Sequence, residues 1–505
     1  MNLYKWQNQA LRKWEDNQYH GIIDVVTGVG KTVFALACAQ HLQNKGLPLR
    51  IRIVVPKISL LRQWQKEIIN FFPHYRFETD AIGMIGNGRN DSYDHIFSLY
   101  VINSARYVLS KHIRNDFQDG YYTLLICDEC HHYASECNSL IFRFLNDKSY
   151  DRDHYYSLGL SATPYCEHFE DVLKPNLGDV IFTYNLKNAR KDKRISDFVF
   201  FNIGIDLSGK EARQYGTLSE EIALTYRKML HDHPEFKDLS ENELFSACNK
   251  HLKDEPDSLP ALFILLIRKR RDLIANTDSR FECLKDILDK INENRIIIFS
   301  ERIDQCDRIY ELLKNSYKIR VSHYHSQMDE QSRKQNLEFF RIKETDVLVT
   351  CKALDEGLNV PDASTAIVFS SSAMSRQRIQ RLGRILRKDV SKDISSLYYL
   401  FLRNTVEDSL YLNTDEIISF DYHYSGKTFY SEIYAKAAME IYRKYQSDSS
   451  AEKLKELKFI IEEGILRSDC ILKESIYRNR IENAQSNHDR NYWIIMKMIS
   501  QKIIM

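Results

Sequence analysis

The chain has 505 residues, 43% of them hydrophobic, and its 71 lysines and arginines nearly cancel its 70 acids, leaving a formal net charge of +1. This length exceeds what one core organises and predicts two or three domains. The balanced charge excludes a uniformly basic nucleic-acid binder, so cations serving such a ligand must be gathered into a groove. The opening residues MNLYKWQNQA lack the charged-then-apolar layout of a secretory leader, and the longest apolar run, ALFILLI from Ala261, is too short for a bilayer. The expectation is a cytoplasmic protein with no membrane contact and ten reduced, mostly buried cysteines.

In chain order, short runs rich in Ile, Val and Tyr alternate with longer amphipathic stretches. The first block predicts strands over 22–26, 51–55, 96–102, 123–127 and 156–160, with helices between them, and a domain over 1–185. From 186 to 286 the pattern turns helical and charged, which predicts a helical linker or insertion. A second block predicts strands over 295–299, 320–325, 346–350, 366–370 and 397–402 and a domain over 287–412. Residues 413–505 show helical spacing only and are expected to form a helical C-terminal region. The expected fold is therefore α/β, two tandem parallel-sheet domains with helical additions.

Directly after the first strand stands Thr27-Gly28-Val29-Gly30-Lys31-Thr32, followed by the helical run VFALACAQHL. Glycines let backbone N–H groups close around phosphate oxygens, and a helix N-terminus adds a positive dipole. Lys31 is placed to reach the β- and γ-phosphates of ATP and Thr32 to ligate Mg2+. Val25 stands where the common pattern has its first glycine, so Gly-x-Gly-Lys-Thr carries the reading alone. The competing reading is an ordinary strand-to-helix turn with an incidental lysine. A later strand, YTLLICDECHH, ends in Asp128-Glu129-Cys130-His131. Acids at the carboxyl end of a parallel strand face the ligand crevice. Asp128 is the expected Mg2+ holder and Glu129 the group that polarises the attacking water. Cys127, Cys130, His131, His132 and Cys137 crowd together there, but no second pair lies at zinc-finger spacing, and the cysteines are read as packing.

From these residues onward the chain resembles the DEAD/DEAH-type helicases of superfamily 2, which have two RecA-like domains. The resemblance makes Gln7, after Trp6, the adenine contact. It places Pro56 and Lys57, in the segment running to Gln63-Trp64, against the nucleic-acid backbone, together with Asn103 and Ser104. Helix-start chemistry by Ser59 and Ser104 competes for those two segments. Ser161 and Thr163, in Ser161-Ala162-Thr163-Pro164, match the motif linking hydrolysis to strand movement. In the second block YHSQMDEQSRKQNLEFFR offers His325 and Arg333 beside the nucleic-acid track. Thr350, with Gly357 and Asn359 from Asp355-Glu356-Gly357-Leu358-Asn359-Val360-Pro361, resembles the motif touching ATP ribose and nucleic-acid phosphate, although many relatives carry aspartate at the position of Asn359. Gln380-Arg381-Leu382-Gly383-Arg384-Ile385-Leu386-Arg387 matches the arginine-finger helix. There Gln380, Arg384 and Arg387 join the catalytic set, the two arginines three apart on one face. A solvated basic helix competes for that segment.

The wording DECH and QRLGRILR, with RKRRDLIANT before the second block, is most similar to the XPB-like and RadD-like DNA translocases. This implies an ATP-dependent DNA helicase or translocase acting on duplex or partly single-stranded DNA. An RNA helicase remains an alternative, as does an ATP-gated motor subunit working with a nuclease or a repair or phage-defence factor. A catalytically silent ATP-binding module is opposed by the intact Lys31, Asp128, Glu129, Arg384 and Arg387. Because Gln7 lies near the start, a nearly bare motor is expected. Its specificity would come from the insertion, the C-terminal helices or a partner.

Overall fold

The computed structural model describes residues 3–26, 28–73, 82–86, 88–146, 152–192, 198–291, 295–316, 319–351, 363–370, 394–408, 418–446 and 450–503. They form two compact units, one ending near residue 192 and the other running from residue 198. Among the described residues no helix is long and apolar enough to cross a membrane.

The first unit begins with α1 (Lys5–Asp16) and β1 (Ile22–Val25), then α2 (Lys31–Gln43), β2 (Leu49–Val55), α3 (Ile58–Phe71), β3 (Ile82–Gly86) and β4 (Arg89–Asn90). It continues through β5 (Phe97–Val101), α4 (Ile102–Gln118), β6 (Tyr122–Asp128), β7 (Tyr155–Ser161), α5 (Lys174–Leu177), β8 (Val180–Tyr184) and α6 (Leu186–Lys191). The strands make one eight-stranded sheet in the order β4-β3-β5-β2-β6-β7-β1-β8, parallel except for the β3–β4 pair. Helices cover both faces, so central strands such as LRIRIVV and YTLLICD are buried almost throughout. Two arginines interrupt that apolar pattern. Arg50 and Arg52 lie buried on β2 and share the fully buried Asp116 of α4, with Arg52 Nε donating to Asp116 Oδ2 at 2.8 Å, while Arg50 also lies 3.9 Å from Asp119 Oδ2.

The second unit opens with β9 (Phe198–Ile205), followed by α7 (Gly209–Asp232), α8 (Glu241–Asp254), α9 (Leu259–Ala275) and α10 (Asp278–Ile291). Then come β10 (Ile296–Ser300), α11 (Ile303–Ser316), β11 (Val321–Tyr324), α12 (Glu330–Arg341), β12 (Val347–Cys351), β13 (Thr365–Val368) and β14 (Ser395–Leu402). It ends with β15 (Ser419–Ser425), β16 (Thr428–Tyr430), α13 (Glu432–Gln446), α14 (Ala451–Glu463), α15 (Glu474–Glu482) and α16 (Asn487–Ile503). Its sheet is again eight-stranded, in the order β11-β12-β10-β13-β14-β9-β15-β16.

Here the structure departs from the expected boundaries. The stretch 186–286 is not wholly helical: β9, sequence FVFFNIGI, lies inside the second sheet, parallel to β14 on one side and β15 on the other. Its partners follow far along the chain, so no local pattern reveals the pairing. Residues 413–505 are not wholly helical either. The segment β15–β16 is a hairpin whose turn residues, Gly426 (φ 55°) and Lys427 (φ 67°), both adopt the left-handed conformation that tight hairpins require. The helices after it are no appendage, because Tyr434, Ile441, Ile460, Tyr477 and Met496 join the same core as β9, β10 and β14. Between β9 and α10, helices α7 to α9 form a small core of their own around Met229, Cys248, Ile264 and Ile267. Capping boxes start two of these helices, Ser208 with Glu211 and Ser240 with Glu243.

Candidate nucleotide site

At the carboxyl edge of the first sheet, β1, β6 and β7 end side by side, with Asp24 level with Ser161 and Asp128 level with Leu160. The chain leaving β1 turns through Gly28 (φ 82°) and Gly30 (φ 98°), a backbone that side-chain-bearing residues rarely adopt, and enters α2 at Lys31. A Cβ at Gly30 would stand 3.1 Å from Gln7 Nε2. That amide is 2% exposed, donates to Gly30 O at 3.0 Å, and accepts from the Tyr4 N–H at 2.8 Å. Gln7, which the family resemblance makes the adenine contact, is thus fastened to the glycine loop itself.

Lys31 is 8% exposed and its Nζ donates to Glu129 Oε1 at 3.1 Å. Glu129 follows β6 in a left-handed conformation (φ 50°), unusual for a residue with a side chain and worth about 1 kcal/mol or more of local strain. Its neighbour Asp128 accepts from the indole N–H of Trp64 at 2.8 Å. Across the edge, His131 Nδ1 and Ser161 Oγ share a hydrogen bond of 2.9 Å, and Ser161 Oγ also accepts from the Thr163 N–H at 3.0 Å. The Thr163 hydroxyl is buried without a hydrogen-bond partner among the described residues. Asp24, half-buried on β1, has its carboxyl pushed up to about 6 by burial, with the charge of Lys31 pulling the other way. The structure therefore brings Gln7, Gly28, Gly30, Lys31, Asp128, Glu129, Ser161 and Thr163 to one edge. Thr32 is the second residue of α2. Thr27 lies outside the described residues.

Left-handed glycines opening a helix, a buried ammonium, and oxygen donors from Asp128 and Thr32 fit Mg2+·ATP: amides and a cation for phosphate, hard oxygens for the metal. Burial drives the Cys127 and Cys130 thiols far above their ordinary range, which suits packing and opposes thiolate ligation. Among the described residues, the three or more donors close enough to share a cation are Asp307, His323 and His325, not the cysteines.

The nucleic-acid candidates fall into distinct settings. Pro56 and Lys57 join β2 to α3, half-buried, and Lys57 rather than Ser59 takes the N-cap position. Asn103 and Ser104 sit in the first turn of α4, whose N-cap is Val101, so Ser104 is not the cap either. In the second unit His325 is 7% exposed and its Nε2 lies 3.1 Å from Asp307 Oδ1, while Thr350 is fully buried and its hydroxyl has no hydrogen-bond partner among the described residues. Gly357, Asn359, Gln380, Arg384 and Arg387 lie outside the described residues. Sequence reasoning missed two members of the site edge. Asp24 carried a signal, an acid inside the apolar run IIDVV, whereas nothing local links Trp64 to Asp128.

Residues 1–166 match the family described as Type III restriction enzyme, res subunit, and residues 279–389 match the helicase conserved C-terminal domain. DNA 3'-5' translocase XPB2 of Sulfurisphaera tokodaii is 30% identical over 395 residues, which cover 77% of this chain and 79% of that protein. Rad25 of Halobacterium salinarum is 23% identical over 410 residues, 81% of this chain but 55% of its own length. The helicase domain of Pyrococcus furiosus Hef matches with a TM-score of 0.50 at 17% identity, covering 80% of this chain and 96% of that one. Both units have the RecA-like α/β fold.

Proposed function

Since the chain belongs to the XPB-like branch of the superfamily 2 helicases, which are ATP-hydrolysing enzymes, we propose that it couples ATP hydrolysis to movement on DNA. The observation that carries the reading is the Lys31–Glu129 contact of 3.1 Å, because it joins the phosphate loop to the acid that follows β6. Bound Mg2+·ATP supplies the phosphoanhydride and a cation that draws charge from it. Lys31 exchanges Glu129 for phosphate oxygen, and this frees the Glu129 carboxylate to orient a water and accept its proton. Asp128 and Thr32 present oxygens to the metal, while the glycine-loop amides of Gly28 and Gly30, with Thr27, surround the phosphates. Gln7 reads adenine from its seat on Gly30. Arg384 and Arg387 neutralise charge developing on the γ-phosphate, with Gln380 alongside, and Gly357 and Asn359 hold the ribose.

Ser161 and Thr163 link the site to the strand through the His131–Ser161 hydrogen bond. Pro56, Lys57, Asn103 and Ser104 hold DNA phosphates on the first unit, and His325 and Thr350 serve the second. The buried state of His325 and Thr350 favours a supporting part over direct contact for those two. XPB2 is named a DNA 3'-5' translocase, which supports DNA over RNA as the track. The match to a restriction-enzyme res subunit supports a second reading, a motor powering a partner such as a nuclease or a repair or defence factor.

Steady-state ATP hydrolysis, measured alone and with duplex DNA, single-stranded DNA and RNA, tests the proposal. Stimulation of at least about tenfold by DNA and little by RNA is expected. Equal stimulation by RNA contradicts the choice of track, and none by any nucleic acid favours the partner-dependent motor.

A further inference from the structure

Trp64 stands on the second turn of α3 with its ring 1% exposed, inside the core of the first unit. A buried indole N–H needs an acceptor, and here the acceptor is Asp128 Oδ2, at 2.8 Å. The other fully buried indole of this unit that has an acceptor, Trp14, uses a backbone carbonyl, Ser157 O at 2.9 Å. Giving the carboxylate that N–H fixes its rotation, so an ion would meet an oxygen set in advance rather than one that swivels.

A second tie lies beside the first. The fully buried Tyr133 hydroxyl is 2.7 Å from Asp128 O and 2.9 Å from Val54 O. Val54 precedes Pro56 and Lys57, and Trp64 follows them. The connection from β2 to α3 is thus fastened to Asp128 from both sides, through its strand and through its helix.

We propose that Trp64 is a positioning residue that holds the Asp128 carboxylate for Mg2+ and relays occupancy of the Pro56–Lys57 connection to that acid. The proposal rests on the reading of Asp128 as metal holder and of Pro56 and Lys57 as nucleic-acid contacts. It makes α3 the element through which bound DNA and bound metal influence each other, and by linkage the influence is mutual.

Trp64→Phe keeps an apolar ring and removes the N–H. ADP affinity is measured by calorimetry with Mg2+ and with EDTA, with and without duplex DNA. In the wild type Mg2+ is expected to tighten ADP binding; in Trp64→Phe that factor is expected to fall about tenfold, as for loss of a hydrogen bond to a charged acceptor, while affinity in EDTA stays the same. DNA stimulation of ATP hydrolysis falls with it. A residue serving packing alone would lower the melting temperature and leave the Mg2+ factor at its wild-type value, and that result overturns the proposal.

Should Trp64→Phe fold poorly, the wild-type chain decides. Its four tryptophans give four 15N-indole resonances, and that of Trp64 is identified by substituting the other three singly. It must move when Mg2+ joins the ADP complex and again when DNA binds; a stationary resonance overturns the proposal. Asp128→Ala separates the two layers. If it leaves the Mg2+ factor intact, the assignment of metal to Asp128 falls, and the role of Trp64 with it. If it removes the factor and Trp64→Phe does not, only the role of Trp64 falls.

Discussion

The two sheets have the same strand count and nearly the same parallel order, yet among the described residues their carboxyl ends carry different chemistry. The first sheet ends in a glycine turn, an ammonium, two acids and an imidazole–hydroxyl pair. Among the described residues, two central strands of the second sheet, β10 and β13, lead into hydroxyls spent on structure. Ser370 Oγ donates to Gln305 Oε1 at 2.6 Å and accepts from the Glu301 N–H at 3.0 Å, and Ser300 Oγ donates to Arg302 O at 3.1 Å. A parallel sheet therefore decides where a ligand can sit, and the side chains at its strand ends decide whether anything reacts there.

The sharpest break of this contrast comes from Lys31→Ala, which is expected to lower ATP hydrolysis by about a thousandfold with the fold intact by circular dichroism. A loss under tenfold would show that the first edge is not the reactive one. Asp116→Ala probes structure in the same unit away from that edge. It removes the carboxylate that pairs with the fully buried Arg52, and one of the two that pair with Arg50, and is expected to cost about 3–5 kcal/mol in urea unfolding.

Asp24 links the two concerns. Its carboxyl is pushed up to about 6 from an ordinary 3.8, so the folded chain holds the proton more tightly than the unfolded chain. Stability is then withdrawn as pH rises from about 4 to about 6. Asp24→Asn should accordingly gain about 1 kcal/mol at pH 7.5, after allowance for solvent screening, and the gain should shrink steadily below pH 6. A gain independent of pH would assign the effect to something other than charge burial. Ser370→Ala is the smallest perturbation, expected to cost about 1 kcal/mol of stability and to change kcat less than twofold. A large kinetic effect would give Ser370 a chemical part that its hydrogen bonds do not suggest.

What could be read from residues alone follows the same division. The phosphate loop was legible because glycines, lysine and the following helix are contiguous, and Asp128-Glu129 because an apolar strand leads directly to it. Strand β9 was not, since FVFFNIGI pairs with strands near the far end of the chain and stands among charged helical segments. The C-terminal helices read as an appendage because amphipathic spacing shows that a face is buried but not against what; Tyr434 and Met496 show that it is the core of the second unit. Trp64 lay inside a recognised segment, yet its bond to Asp128 joins two elements that only the sheet order brings together.

The central claim is that the carboxylate after β6, released from Lys31, activates the water. Glu129→Gln tests it most directly, in single-turnover ATP hydrolysis with saturating duplex DNA and with ATP binding measured in parallel. The account predicts hydrolysis slowed by about a hundredfold to ten-thousandfold with ATP affinity kept or increased. Hydrolysis within a few-fold of wild type would contradict it.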